Sequence, residues 1–294
     1  MKKKILLDTD IGSDIDDAFA LAYLLKQPDC DLLGVTTVSG QVKQRAQMAS
    51  AMCRLAGRPD IPVYPGAELP LLTPQMQPIA KQAGALPKWD HQADFPCGEA
   101  VSFMRRVIRE HPGEVTLLCI GPMTNVALLF ATDPEIPGLL KELVLMCGIF
   151  TYNLPAYLCL SEWNARCDPY ATAIMYNAPV PVIRSIGLDV TTRVTMKPQE
   201  VRTHLHSELA ALLGDFLTYW EAGSKLLTFH DPLAAAVIFD PDICQFRRGD
   251  VRVEVESKVL SGLTEWKENP AGKNQVAFSV DAERFFAHYW GLGI

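Results

Sequence analysis

Short apolar runs alternate with stretches of helical periodicity along most of this chain. Runs with strand character fall at 4–8, 32–38, 115–120, 143–147 and 180–186. Each is followed, after a loop, by a helical pattern, and 15–26, 42–56, 123–132 and 169–177 are the clearest. Strands that are apolar throughout and alternate with helices predict an α/β fold, with a mostly parallel central sheet covered by helices on both faces. Ligands of such sheets bind beyond the carboxyl ends of the strands. The tips to inspect are therefore Asp8–Asp17, Ser39-Gly40-Gln41, Gly121–Asn125 and the stretch from Cys147 onward.

Two regions break the pattern. Residues 65–96 are rich in proline and carry little periodicity, which predicts a long surface segment able to edge a pocket. Residues 250–281 alternate in places, as in Val251-Arg252-Val253-Glu254, which suits a half-exposed hairpin or edge element, and Asp281 to Tyr289 reads as a closing helix. No linker-like stretch, charge block or repeat divides the 294 residues, so one domain over 1–294 is expected.

Composition narrows the function. The net charge of −7 disfavours a nucleic-acid or anionic-membrane partner, and no apolar run approaches a membrane span. After Met1-Lys2-Lys3-Lys4, only Ile5, Leu6 and Leu7 precede Asp8, too few for a signal-peptide core. The eight cysteines form no C-x-x-C pair and read as buried free thiols of a cytoplasmic protein.

The chemistry is concentrated in the first loop. Asp8, Asp10, Asp14, Asp16 and Asp17 place five carboxylates within ten residues, between an apolar strand and an apolar helix. Gathering them requires a compensating cation or protons held at raised pKa, and all-oxygen ligands favour calcium or magnesium over zinc. Helix capping by Asp14, with Asp16 and Asp17 favouring the dipole in the first turn, accounts for three of the five. It leaves Asp8 and Asp10 at the strand end unexplained.

Three distant segments complete a pattern with this loop: Gly121-Pro122-Met123-Thr124-Asn125-Val126-Ala127-Leu128, then Glu162-Trp163-Asn164 with Asp168-Pro169, then His230-Asp231-Pro232-Leu233-Ala234. Together with Asp8-Thr9-Asp10-Ile11-Gly12 and Asp16-Asp17-Ala18, they resemble the inosine-uridine-preferring nucleoside hydrolase (nucleoside N-ribohydrolase) family. The resemblance implies calcium-dependent hydrolysis of ribonucleosides to ribose and free base, by a protein that assembles as a dimer or tetramer. It implies calcium ligands at Asp10, Asp17, the carbonyl of Thr124 and Asp231. Ribose hydroxyls would fall to Asp16, Glu162 and Asn164, with Asp8 supporting the ligands from behind. Asp10 would take a proton from a coordinated water, and His230 would protonate the leaving base. Tyr152, Tyr157, Trp220 and Phe229 are aromatic candidates for stacking on the base, each equally suited to the core.

The chain departs from the family pattern in its loops. Ser13-Asp14-Ile15-Asp16-Asp17 is two residues longer than the common form, so Asp14 competes with Asp16 for the metal or ribose. Gln41 stands where asparagine is common, and residues 80–95 lack the usual His-Gly-x-Asp-Gly segment. These changes surround the leaving group, and the sequence does not name the base. Two other readings accompany the first. One is a metal-dependent nucleoside or ribose binder without turnover. The other is a haloacid-dehalogenase-type phosphohydrolase built on Asp8-Thr9-Asp10, which Ile11-Gly12-Ser13 fits poorly.

Overall fold

The computed structural model describes residues 2–151, 160–220 and 226–294. Its main sheet has nine strands. They are β1 (Lys3–Thr9), β2 (Cys30–Thr37), β3 (Val63–Pro65), β4 (Val115–Cys119), β5 (Glu142–Met146), β6 (Ile183–Ile186), β9 (Cys244–Val253), β10 (Thr264–Glu268) and β11 (Asn274–Val280). A separate antiparallel pair joins β7 (Thr195–Met196) to β8 (Leu227–Thr228). The order across the main sheet is β10-β9-β11-β6-β5-β4-β1-β2-β3, parallel from β3 to β11 and antiparallel at β9 and β10. The expected parallel α/β sheet is thus present, and the alternating stretch after residue 250 forms its antiparallel edge.

The chain runs outward from β1 through β2 to β3, then returns to the other side of β1 as β4. That reversal opens a crevice beyond the carboxyl ends of β1 and β4, where open α/β sheets place their ligands. Side chains of β1 alternate between two cores: Ile5 and Leu7 enter one, Leu6 the other. The first core is closed by the helices Asp16–Lys26, Val42–Leu55, Glu208–Trp220, His230–Phe239 and Ala282–Trp290. The second lies under Ala100–Glu110, Thr124–Thr132 and Pro169–Asn177. No helix among the described residues is long and apolar enough to cross a membrane.

The segment 65–96 crosses the carboxyl ends of the strands and includes a 3-10 helix, Lys81–Lys88. It is held by close backbone approach: Gln41 N donates to Pro78 O at 3.0 Å, and a Cβ on Gly40 would stand 2.5 Å from Pro78 O. Gly40 also has φ +63°, so only glycine fits without strain.

Candidate active site

A cavity of about 570 Å³ opens at the switch point. Its walls include Asp10, Asp14, Asp16, Asp17, Glu162, Asn164, His230 and Asp231, drawn from three separate segments of the chain. Asp16, Asp17 and Asp231 bring carboxylate oxygens within 4.8 Å of one another, and all three are buried. The grouping depends on two helix starts meeting: Asp16 Oδ2 accepts the backbone N–H of Asp231 at 3.1 Å. The Thr9 hydroxyl donates to Asp17 Oδ1. Asp10 stands beside the trio with Oδ2 accepting from Gln77 Nε2, and its Oδ1 lies where a Cβ on Gly121 would come within 2.8 Å.

Thr124 is buried at the start of its helix, and its hydroxyl donates to Asp168 Oδ2 at 2.7 Å. Glu162 caps the helix Trp163–Cys167, accepting from Asn164 N at 2.7 Å and Ala165 N at 3.0 Å. Asn164 Nδ2 donates to Ile120 O at 2.9 Å and Met146 O at 3.1 Å, tying the ends of β4 and β5 together. His230 opens its helix, with Nδ1 2.7 Å from the Thr191 hydroxyl. Asp10, Asp16, Asp17, Glu162, Asn164, His230 and Asp231 thus share one cavity wall, and Thr124 is not among its lining residues.

Burial dominates the electrostatics. It pushes the Asp16, Asp17 and Asp231 carboxyls well above the usual range, and repulsion from neighbouring carboxylates adds to it. Asp10 moves up for the same first reason, against the pull of Arg45 and Gln77. Asp8 is raised to about 7 by burial, although Thr36 and Asn125 donate to its Oδ1. Asp8 Oδ2 has no hydrogen-bond partner among the described residues. Burial lowers the His230 imidazole. Stacked carboxyls this far from water are a poor arrangement by themselves and a good one around a hard divalent cation. The donor set, oxygen throughout, fits calcium-type coordination.

Several local expectations are corrected. Asp14 does not cap its helix. The longer loop places Ile15 at the N-cap, leaving Asp14 exposed with Oδ1 on the N–H of Ile15. Asn125 donates to Asp8 Oδ1 and Thr37 O and accepts from Ala67 N, so it anchors the strand ends. Phe229 is fully buried among Phe19, Phe285 and Tyr289 and belongs to the core, whereas Trp220 lines the cavity. Tyr152 and Tyr157 lie outside the described residues. The phosphohydrolase alternative needs a nucleophile at Asp8, but that side chain is buried and absent from the cavity wall.

Sequence reasoning missed Arg45. Its guanidinium is fully buried and donates to the carbonyls of Asp10, Ile11, Ser39 and Gln77 and to the Ser13 hydroxyl. Gln82 completes the grip, with Nε2 on Asp14 O at 2.6 Å. The extra length of the acidic loop is thus held by side chains from the next helix and from the proline-rich segment. An arginine on the buried face of the pattern 42–56 was the available signal.

Fold and site together define an α/β protein with a buried acidic cluster, able to hold a metal ion, in a cavity at the sheet's switch point. Residues 5–287 match the family described as inosine-uridine preferring nucleoside hydrolase, and the chain belongs to that family. Uridine nucleosidase 1 of Arabidopsis thaliana is 28% identical, over 96% of this chain and 90% of its own length. The pyrimidine-specific ribonucleoside hydrolase RihA of Klebsiella pneumoniae is 32% identical, over 90% and 88%. Among solved structures, a plant nucleoside hydrolase superposes with TM-score 0.85 at 25% identity, covering 100% of this chain and 99% of its own. A purine-preferring ribonucleoside hydrolase from Gardnerella vaginalis gives 0.84 at 27%, covering 99% of both. The chain is a hydrolase of ribonucleoside N-glycosyl bonds, acting on small molecules.

Proposed function

We propose that this chain uses calcium to hydrolyse ribonucleosides to ribose and free nucleobase. The meeting of Asp16, Asp17 and Asp231 within 4.8 Å carries the reading. Asp10, Asp17, Asp231 and the Thr124 carbonyl would hold the ion, and Asp16 stands close enough to join them or to bind the sugar diol beside them. Bound there, the cation would offset the clustered carboxylates, grip the diol and make a neighbouring water more acidic.

The remaining chemistry belongs to the chain's own side chains. Glu162 and Asn164 orient the ribose hydroxyls. Carboxylates around the sugar stabilise positive charge as the C1′–N bond lengthens. Asp10 takes a proton from the attacking water, while Gln77 and Arg45 fix its position. His230 Nδ1 lies 2.7 Å from the Thr191 hydroxyl; with that hydroxyl as the donor, Nε2 would carry the hydrogen that His230 gives to the departing base. A single domain over 1–294, a dimer or tetramer and a cytoplasmic setting complete the reading. The seven described cysteines, all free, support that compartment.

The test is ribose release from inosine, uridine, cytidine, adenosine and guanosine, before and after stripping of metal. Release that calcium restores is the expected result and names the preferred base. Calcium binding without release from any of the five would transfer the case to a nucleoside binder without turnover.

A further inference from the structure

Cleavage of the N-glycosidic bond leaves negative charge on the base, and the cavity floor is built for the opposite sign. Asp10, Asp16, Asp17, Glu162 and Asp231 favour a cationic sugar and repel an anion. Beside His230, a departing base gains from a positive charge placed away from that floor.

Exposure sorts the cavity by depth. Those five carboxylates are at most 5% exposed, whereas Ile79 is 56% and Trp163 44% exposed on the same wall. A ribose held on the floor directs its base to the mouth, where Lys81 stands. Among the described residues Lys81 is the sole lysine or arginine on the cavity wall, and its ammonium forms no ion pair. Arg45 cannot substitute, because it lies behind the floor with its donors turned to carbonyls and a serine hydroxyl.

The backbone around Lys81 is pinned on both sides. Gln82 N donates to Gly12 O at 3.3 Å, and Ala80 N to Gln41 Oε1 at 3.0 Å. On the outer side the Tyr219 hydroxyl donates to Gly84 O at 2.8 Å. The side chain itself is exposed, so a fixed stem presents a movable charge.

We infer that Lys81 is a catalytic residue whose ammonium hydrogen-bonds the departing nucleobase and stabilises its charge as the C1′–N bond breaks. The inference rests on the N-ribosyl hydrolase reading. In the step, the water oxygen bonds to C1′ and a water proton passes to Asp10. The C1′–N electron pair stays with the base, which takes its proton from His230 while the Lys81 ammonium donates a hydrogen bond to it and offsets its charge. Solvent reprotonates the imidazole, and Asp10 returns its proton to solvent.

Wild type, Lys81→Met and Lys81→Arg, each saturated with calcium, should be compared on three substrates. These are the nucleoside wild type cleaves best, its 5′-monophosphate, and p-nitrophenyl ribofuranoside, whose leaving group is a stable anion without a donor. Lys81→Met is expected to lower kcat on the nucleoside by about 100-fold, with p-nitrophenolate release changed by no more than about threefold. Lys81→Arg should retain most of the nucleoside rate. Equal losses on nucleoside and p-nitrophenyl riboside would overturn the assignment, as would no loss on the nucleoside. A loss confined to the 5′-monophosphate would also overturn it, marking a phosphate contact instead. Failure of the underlying reading looks different: wild type itself would release no ribose from any substrate.

Discussion

The floor and the mouth of the cavity are built on different terms. Floor groups come from strand ends and helix starts, are buried, and are held by one another or by backbone: Asp16 by Asp231 N, Glu162 by three N–H groups, Asn164 by two strand-end carbonyls. The mouth is formed by Ile79, Lys81, Trp163 and Trp220, which are exposed or half-exposed and come mostly from the proline-rich segment and helix ends. The sugar and its charge change are common to every ribonucleoside, whereas the base varies. Rigid, desolvated groups suit the constant part, and exposed groups allow the variable part to drift. Relatives named for uridine, for pyrimidines and for purines share this fold.

The sharpest way to break the contrast is at the floor. Asp10→Asn keeps the volume and the bond from Gln77 but removes the base, so kcat should fall by about 1000-fold. Ribose binding should weaken far less, as measured by competition with free ribose against the wild type. Retained turnover would remove Asp10 from the proposed role. Arg45→Gln comes next and acts on the frame. It strands several buried carbonyls at once, and a loss of about 4 kcal/mol in unfolding free energy is expected from denaturant titration. A change below about 1 kcal/mol would mean that the acidic loop holds itself.

The floor was legible in the sequence because strand ends carry their polar residues immediately after an apolar run. Asp8 and Asp10 follow Ile5-Leu6-Leu7, and Asp231 follows the apolar Leu226 and Leu227 at short range. The helices Asp16–Lys26, Val42–Leu55 and Thr124–Thr132 likewise follow from their periodicity. The mouth was less legible for a physical reason. Gln77 and Lys81 lie in a segment ordered by long-range bonds to Arg45, Gln41 and Gly12, which leave no local period. Trp220 and Phe229 illustrate the same limit. Both are aromatic and near in sequence, yet one lines the cavity and the other is core, a difference set by tertiary packing alone.

Charge gives the floor a pH signature the mouth lacks. Asp8, Asp16, Asp17 and Asp231 have folded-state pKa values raised by burial, Asp8 to about 7. A raised carboxyl contributes stability while protonated and loses it as pH climbs from the unfolded value through the folded one. The metal-free protein should therefore lose Tm between about pH 5 and about pH 7.5. Calcium at a hundredfold excess over its Kd should restore about 2.7 kcal/mol at the upper end and less at the lower, where protons compete for the same oxygens. Calorimetry at both pH values checks this, and a calcium effect independent of pH would contradict it.

The smallest expected effect is the one that most directly separates mouth from core. Trp220 lines the cavity, and stacking on a base is worth about 1–3 kcal/mol. Trp220→Ala should raise KM by about tenfold, more for purine than for pyrimidine nucleosides because the larger ring covers more of the indole. Phe229→Leu is the control, since its ring packs against Phe19, Phe285, Phe286, Tyr289 and Trp290. It should lower stability and leave the ratio of purine to pyrimidine KM unchanged. If both variants shifted that ratio equally, the base would be reading the packing of the whole helical layer, and the division between a fixed floor and a variable mouth would be drawn in the wrong place.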